Sequence, residues 1–400
     1  MIHADATLPA PRSAAPLPKP FELFCFAFCV ANLIWIATAL LTGSWLWDQA
    51  GRLLSDDFVN VYAAGKLALA GNPAGAYDWP THRQIEVAVL GYDFRGYYGW
   101  HYPPFYLFIA SALAMLPYAA AHAAWPMVSL LPYVAAVRAS ASNNAGYLLA
   151  FGMPAFVANV LVGQNGFLTA ALIGGTLVSI ERRPVLAGIC LGLLTYKPHF
   201  GILFPFVLAA AGLWRVFFIA AATAAAISLA SVAAYGIEPW LAFLRWLPVT
   251  SQAFLSEGRA EIEKMQSLFA IIRTLGGAEW LAWGAQIALS AAIAATLCLM
   301  WRSKDYEYEL KAAALGAGVL LATPYIYIYD MVTMTIPLAF LLGIGLSRGF
   351  LRYELAGIAA IMALVAVFPF VKLPVGFAAS VLLASLVIRR ALSARDRAAP

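Results

Sequence analysis

Long apolar runs follow one another along almost the whole chain. The first covers residues 23–47, and twelve more lie near residues 101–118, 119–137, 145–161, 166–180, 184–196, 199–214, 216–235, 279–300, 310–328, 330–346, 355–371 and 373–388. None of them shows the alternation of apolar and polar residues that is typical of a membrane β-barrel. Because a backbone inside lipid must satisfy its own hydrogen bonds, these runs predict transmembrane helices.

The composition agrees with a membrane protein. Hydrophobic residues make up 63% of the 400 residues and charged residues 11%, whereas a soluble domain is about half apolar and about a quarter charged. The net charge of +5 is too small and too dispersed for a nucleic-acid-binding surface. All four cysteines fall inside apolar runs, so no disulfide framework is indicated. The sequence therefore predicts an all-α polytopic membrane protein.

Basic residues predict the orientation of the helices. With the amino terminus in the cytoplasm, 15 basic and 8 acidic residues fall on the cytoplasmic side, for a net charge of +7. The other side carries 10 basic and 12 acidic residues, for a net charge of −2. The number of membrane crossings does not fit at one place. Two apolar runs separate the first outside loop from Arg138, whereas an outside loop and a cytoplasmic residue must be separated by an odd number of crossings. Either one of the runs 101–118 and 119–137 does not cross, or Arg138 lies outside.

The chain divides into one membrane domain and two tails. Residues 1–20 are polar and proline-rich and predict a disordered cytoplasmic tail, residues 21–390 form a single transmembrane domain, and residues 391–400 form a second cytoplasmic tail. Two long outside loops, 48–100 and 236–278, interrupt the apolar runs, and loops of this length are usually functional. Proline breaks are expected at Pro154, Pro198 and Pro324.

A short amphipathic helix is predicted in the first outside loop. Ser55-Asp56 suits the start of a helix and Gly71-Asn72-Pro73 its end, with helical spacing of the apolar residues between them. We expect this helix to lie on the outer membrane surface. Asp56 and Asp57 stand at its positive end, where they serve either as helix caps or as functional carboxylates.

Four further polar features lie on the predicted outer side. The segment 97–105 is aromatic and includes His101 and Tyr102, which indicates either an interfacial aromatic belt or a platform for a sugar ring or prenyl chain. The other features are Gln164-Asn165 in a glycine turn, Lys197-Pro198-His199 at a helix break, and Tyr325 to Asp330 at a helix start. Ionisable residues near membrane depth indicate function, although Lys197 could snorkel and Asp330 could cap.

Several common motifs are missing. The chain has no Gly-rich nucleotide loop, no acidic metal motif and no Cys/His cluster. We therefore expect no cofactor, no metal and no nucleotide-sugar site.

The polar features form an ordered set of short motifs. In chain order these are Ser55-Asp56-Asp57-Phe58, Tyr62-Ala63-Ala64-Gly65, Gly71-Asn72-Pro73, Tyr102-Pro103-Pro104, Gly163-Gln164-Asn165, Lys197-Pro198, and Pro324-Tyr325 with Tyr329-Asp330. From about residue 21 to 390 the chain resembles glycosyltransferase family 87, the polyprenyl-phosphate-mannose-dependent α-mannosyltransferases of the GT-C superfamily. The resemblance implies a GT-C bundle of about 11 to 13 transmembrane helices in the bacterial inner membrane, with an extracytoplasmic active site.

The resemblance also implies residue roles. The catalytic base of the family matches Asp57, with the neighbouring Asp56 as the alternative register. Some relatives have a histidine where this chain reads Tyr325 to Asp330, which leaves Asp330 as the nearest polar candidate in this segment. The candidate substrate-binding residues are Asp56, Tyr62, His101, Tyr102, Gln164, Asn165, Lys197, His199, Tyr325 and Asp330.

The expected reaction needs only one base. The resemblance implies a donor that carries a hexose, with mannose as the leading candidate, on a polyprenyl phosphate, and an acceptor that is a lipid or glycan. Because phosphate is already a good leaving group, a single base that takes the proton of the acceptor hydroxyl suffices for an inverting transfer. A cation can offset the charge on the departing phosphate; Lys197 is the first candidate, with Arg245, Arg259 and Lys264 as alternates. The alternative is a transporter or flippase of lipid-linked sugars, which would predict internal repeats that the sequence does not show.

Overall fold

The regular structure of this chain is helical. A computed structural model describes residues 16–251, 264–371 and 373–398, where two isolated β-bridges are the only β-structure. The α-helices of these ranges are α1 (Lys19–Thr42), α2 (Phe58–Leu69), α3 (Trp79–Leu90), α4 (Leu107–Ala114), α5 (Tyr118–Ala141), α6 (Ala145–Gly152), α7 (Ala155–Leu161), α8 (Gly166–Ser179), α9 (Pro184–Leu193), α10 (Pro198–Gly201), α11 (Phe204–Ala210), α12 (Trp214–Tyr235), α13 (Glu238–Ser251), α14 (Leu268–Thr274), α15 (Glu279–Arg302), α16 (Tyr308–Ala322), α17 (Thr335–Arg348), α18 (Glu354–Val371) and α19 (Val375–Ala398). Within the same ranges, 3₁₀ helices cover Pro73–Tyr77, Pro104–Tyr106, Leu194–Tyr196 and Ile328–Met334.

The prediction of an all-α polytopic membrane protein is confirmed. In the described ranges, seven helical stretches are long and apolar enough to cross a membrane, namely α1, α5, α12, α15, residues 328–348, α18 and α19. Protein buries only 17% of the most apolar window of α1, α12 and α15, but 83% of that of 328–348. The first three helices therefore present most of their apolar surface to lipid, and α17 with the 3₁₀ turn before it lies at the centre of the bundle.

The run 101–118 does not form a membrane-length helix. It begins as the 3₁₀ helix Pro104–Tyr106 and continues as the eight-residue α4. Together these elements reach about 16 Å at 1.5 Å per residue, which is about half the thickness of the hydrocarbon core. One membrane-length helix, α5, therefore lies between the loop 48–100 and Arg138, which is the number of crossings that the first of the two alternatives requires.

The proline breaks lie where the sequence predicts them. Pro154 separates α6 from α7, Pro198 starts a new helix after the 3₁₀ turn Leu194–Tyr196, and α16 ends just before Pro324. The amide of Asn32 on α1 donates to the carbonyl oxygens of Phe151 at 2.8 Å and Met153 at 3.1 Å. Backbone acceptors exposed by the break at Pro154 are therefore satisfied inside the protein.

The first-loop helix α2 is buried in protein and does not lie on a membrane surface. Eight of its twelve residues are buried, because α2 packs against α4 and α3. The prediction of a helix in this segment is therefore confirmed, and the prediction that this helix lies on the outer membrane surface is wrong.

The two predicted tails fall partly outside the described ranges. Residues 1–15 and 399–400 lie outside them, whereas α1 begins at Lys19 and α19 continues to Ala398. The residues described after position 390 are therefore helical.

Candidate active site

One cavity of about 450 Å³ brings most of the predicted polar residues together. The start of α2, the aromatic segment after α3, the turn before α8, the break before α10 and the segment before α17 all contribute to its walls. The lining residues predicted from the sequence are Asp57, His101, Tyr102, Gln164, Lys197, His199, Tyr325 and Asp330. Features separated by more than 250 residues in the chain thus meet at one end of the bundle.

The carboxylate of Asp57 faces this cavity. Asp57 occupies the N-cap position of α2, but its side chain makes no capping hydrogen bond. The Gln164 amide Nε2 instead donates to its Oδ2 at 2.5 Å. The turn that carries Gln164 packs closely against the start of α2. Gly163 in this turn has φ +64°, and a Cβ at this position would lie only 2.9 Å from the Cβ of Phe58. Glycine therefore allows the contact between the turn and the start of α2.

Asp56 points away from the cavity. Its Oδ1 accepts a hydrogen bond from the backbone N–H of Phe58 at 3.1 Å, and its Oδ2 lies 3.1 Å from His122 Nε2. Burial raises the pKa of this carboxyl, although the hydrogen bond from His122 acts in the opposite direction. Capping of the helix thus belongs to Asp56, and Asp56 does not line the cavity.

Lys197 and Asp330 form a buried ion pair on the cavity wall. Lys197 Nζ donates to Asp330 Oδ1 at 2.8 Å, with Lys197 7% and Asp330 1% exposed. The snorkelling alternative for Lys197 is therefore wrong. Asp330 Oδ2 also accepts from the backbone N–H of Tyr327 at 3.2 Å, so the capping prediction for Asp330 is confirmed alongside the ion pair.

Stacked tyrosines support the wall that carries Tyr102. The Asn165 amide donates to the hydroxyls of Tyr102 at 2.9 Å and Tyr106 at 3.3 Å. The rings of Tyr106 and Tyr196 stack with centroids 5.0 Å apart, and the Tyr196 hydroxyl donates to the Asn165 carbonyl at 3.1 Å. Asn165 therefore lies behind the cavity wall and fixes the position of Tyr102.

Two histidines line the cavity. His101 Nδ1 accepts from Trp246 Nε1 at 3.3 Å, and burial lowers the pKa of His101 to about 3. The imidazole is consequently neutral at neutral pH and supplies no positive charge. His199 packs near the ring of Tyr325, with centroids 6.2 Å apart.

Tyr62, the remaining predicted residue, does not line the cavity. Its hydroxyl donates to the Leu116 carbonyl at 2.8 Å, which ties α2 to the turn between α4 and α5. Of the alternate cations, Lys264 lines the cavity and Arg245 does not, whereas Arg259 lies outside the described residues.

Several lining residues are not among those predicted from the sequence, namely Asn60, Arg95, Tyr327, Tyr329, Phe243 and Leu247. Arg95 is exposed and makes no hydrogen bond or ion pair within the described ranges, so it adds an uncompensated positive charge to the rim. Asn60 could have been found, because it lies three residues after Asp57 and therefore on the same side of α2. In the described part of the chain, no group of three His, Cys, Asp or Glu side chains could hold a metal ion.

Comparison with known families gives one match. The profile of glycosyltransferase family 87 matches residues 100–324, which is more than half of the chain. The chain belongs to glycosyltransferase family 87. No curated protein and no solved structure matches it significantly.

Membership in family 87 makes this chain a membrane glycosyltransferase rather than a transporter of lipid-linked sugars. The matched region includes the cavity residues Tyr102, Gln164, Lys197 and His199. Asp57 and Asp330 lie outside it, so their assignment to the site rests on the geometry of the cavity.

Proposed function

We propose that this glycosyltransferase moves a hexose, with mannose as the leading candidate, from a polyprenyl phosphate to a lipid or glycan acceptor on the extracytoplasmic face. The observation that carries the proposal is the position of Asp57. Its carboxylate is turned into the cavity and held by Gln164, although a place at a helix start would suit it for capping.

Asp57 is the proposed general base. It takes the proton of the acceptor hydroxyl as the acceptor oxygen bonds to the anomeric carbon of the sugar. The bond between that carbon and the phosphate oxygen breaks, and the phosphate leaves with the bonding electrons. A single displacement of this kind inverts the anomeric configuration, so a β-linked donor gives an α-glycoside.

Cations on the cavity wall are proposed to receive the phosphate. Lys197 is the buried candidate, and its ion pair with Asp330 fixes the ammonium on the cavity wall. Among the described residues, Arg95 and Lys264 also line the cavity as cations. The tyrosines of the same walls offer flat apolar faces on which a sugar ring can pack.

The test is a transfer assay with purified protein and radiolabelled polyprenyl-phosphate mannose. We expect Asp57→Asn to lower the rate by ~10²–10⁴-fold, because the substitution keeps the shape of the side chain and removes its basicity. Donor binding should be nearly unchanged.

A matched control is Asp78→Asn in the same loop. Asp78 caps α3 through the backbone N–H of Thr81, does not line the cavity, and is replaced by a residue that caps equally well. This variant should keep wild-type transfer. Full activity of Asp57→Asn would remove Asp57 from the mechanism, and a retained anomeric configuration would contradict the single displacement.

A further inference from the structure

Asn60 is a polar residue of α2 for which intramolecular contacts give no reason. The other polar side chains of this helix are accounted for, since the Tyr62 hydroxyl donates to the Leu116 carbonyl and Lys66 is exposed. Asn60 is partly buried, and its side chain makes no hydrogen bond with the described residues. Its Oδ1 is buried without a partner.

This arrangement is unfavourable for folding. Asn favours the interior of a helix less than Ala does, and a buried polar atom without a hydrogen bond lowers stability. Alanine would therefore suit this position of α2 better on both counts. Asn60 nevertheless lines the candidate active site. A polar group that costs stability and lines a cavity is expected where a ligand supplies the missing contact.

Asn60 lies beside the proposed base. It follows Asp57 by one helical turn, and Asp57 already has helical dihedral angles, with φ −64° and ψ −20°. The two side chains are therefore neighbours on one face of α2. The Asp57 carboxylate accepts hydrogen bonds. Because Oδ1 of Asn60 is buried, its amide nitrogen is the end that a ligand can reach, and this nitrogen donates.

The proposed reaction places the acceptor next to this pair. In an inverting displacement, the attacking oxygen and the leaving phosphate lie on opposite sides of the anomeric carbon. Lys197, proposed to receive the phosphate, and Asp57, proposed to deprotonate the acceptor, belong to different walls of the cavity. The wall formed by α2 therefore faces the acceptor. The rings of Tyr97 and His101, with centroids 5.7 Å apart, line the same cavity and offer flat faces to a sugar.

We propose that Asn60 determines acceptor specificity by donating a hydrogen bond from Nδ2 to the hydroxyl adjacent to the one that Asp57 deprotonates. The acceptor is accordingly a sugar or another polyol with two neighbouring hydroxyls. An alcohol with a single hydroxyl would lack the group that Asn60 binds. The proposal rests on the proposed function, which makes Asp57 the base, and it leaves the proton transfer to Asp57.

Two substitutions separate the hydrogen bond from packing. Asn60→Ala removes the amide, and Asn60→Leu removes its polarity while keeping its approximate shape. Both variants should unfold at the wild-type temperature or above it, because each removes the buried Oδ1 that has no partner. The matched control is Asn144→Ala at the start of α6, where the exposed side chain makes no capping hydrogen bond and does not line the cavity.

The first experiment measures transfer from polyprenyl-phosphate mannose to octyl α-mannoside and to its monodeoxy analogues. The linkage in the product identifies the hydroxyl that is attacked. For wild type, removal of one hydroxyl next to it should raise the acceptor KM roughly tenfold, the effect of one lost hydrogen bond. Asn60→Ala and Asn60→Leu should raise the KM of the parent acceptor equally, while kcat, the donor KM and the control variant stay unchanged.

The decisive comparison combines the two changes. Since both remove the same hydrogen bond, the deoxy analogue should cost the Asn60 variants nothing further. A full additional tenfold loss in the variants would overturn the proposal. A raised KM for the donor alone would place Asn60 against the donor sugar and would also overturn it.

The second experiment tests Asn60 without the reaction. Binding of octyl α-mannoside and its deoxy analogues to the full-length protein is measured by native mass spectrometry, with no donor present. We expect one deoxy analogue to bind wild type roughly tenfold more weakly than the parent does, and both Asn60 variants to bind the two compounds equally. Equal affinities of wild type and Asn60→Ala for every compound would overturn the proposal. Failure of wild type to use polyprenyl-phosphate mannose would instead contradict the proposed function.

Discussion

Asp56 and Asp57 are neighbours in sequence but have different surroundings. His122 and the backbone N–H of Phe58 hold Asp56, whereas Gln164 holds Asp57 at the cavity. The ring of His122 in turn packs against Phe58, with centroids 4.8 Å apart. Asp56 therefore anchors the start of α2 to α5, whereas Asp57 faces the cavity.

We expect Asp56→Asn to keep transfer within about tenfold of wild type and to lower stability by about 0.5–2 kcal/mol, as the loss of a helix cap or of a buried hydrogen bond does. The reason is that Asn can still accept from Phe58 but loses the charge opposite His122. Initial rates and thermal unfolding in detergent would measure the two effects. An inactive Asp56→Asn beside an active Asp57→Asn would show that Asp56 is the base.

The sequence could predict the residue types of the site but not the directions of their side chains. Adjacent carboxylates at a helix start look alike in sequence. Their partners, His122 and Gln164, lie 66 and 107 residues away from them. For the same reason Lys197 could be recognised as a functional cation, while its ion pair across 133 residues could not. Asn165 was expected to bind substrate and instead supports Tyr102.

At the scale of helices, the contact between α2 and α4 fixes the position of Asp57. Gly65 on α2 faces α4 so closely that a Cβ would lie 2.0 Å from the Ala110 carbonyl oxygen and 2.7 Å from Ala114 Cβ. A backbone atom cannot move aside without moving α4. The glycine is therefore required by close helix packing, as is common among helices of membrane proteins.

Gly65→Ala should destabilise the protein by about 1–3 kcal/mol, the usual cost of overpacking a core, and should also slow transfer because α2 carries Asp57. Thermal unfolding of the purified protein would measure the first effect. Gly284→Ala is the control, since a Cβ there meets nothing within 4 Å and alanine favours the helix. Equal unfolding temperatures for the two variants would contradict the close contact.

Helix boundaries were more predictable than helix locations. Capping residues and proline or glycine stops depend on local chemistry, so the limits of α2 and the three proline breaks followed from the sequence. Apolar periodicity shows only that a helix has an apolar face. It does not say whether lipid or protein covers that face, and this is why α2 was assigned to a membrane surface. The run 101–118 was ambiguous because its prolines permit either a crossing or a short helix.

At the scale of the whole molecule, the cavity and the basic loops lie at opposite ends of shared helices. Asp330 lies on the cavity wall, and the same helical stretch ends at Arg348, where it meets Glu307. At that basic end Arg390 donates to the Gly349 carbonyl at 2.9 Å. The carboxyl end of α5 lies at this same end of the bundle, because a Cβ at Gly343 would lie 2.9 Å from the Ala141 carbonyl oxygen.

This arrangement makes the orientation of the protein testable. Because basic loops remain in the cytoplasm, we expect the end with Arg138, Arg348 and Arg390 to lie inside and the cavity to open outside. A reporter fused after Trp100, in the loop that lines the cavity, should then be extracytoplasmic. A reporter fused after Pro400, beyond the basic end of α19, should be cytoplasmic.

Paired phosphatase and fluorescent-protein fusions would measure both positions. Since phosphatase is active only outside and the fluorescent protein only inside, each site controls the other. The same side for both fusions would contradict the orientation, and opposite sides in the reverse order would place the cavity in the cytoplasm, where nucleotide sugars are available as donors.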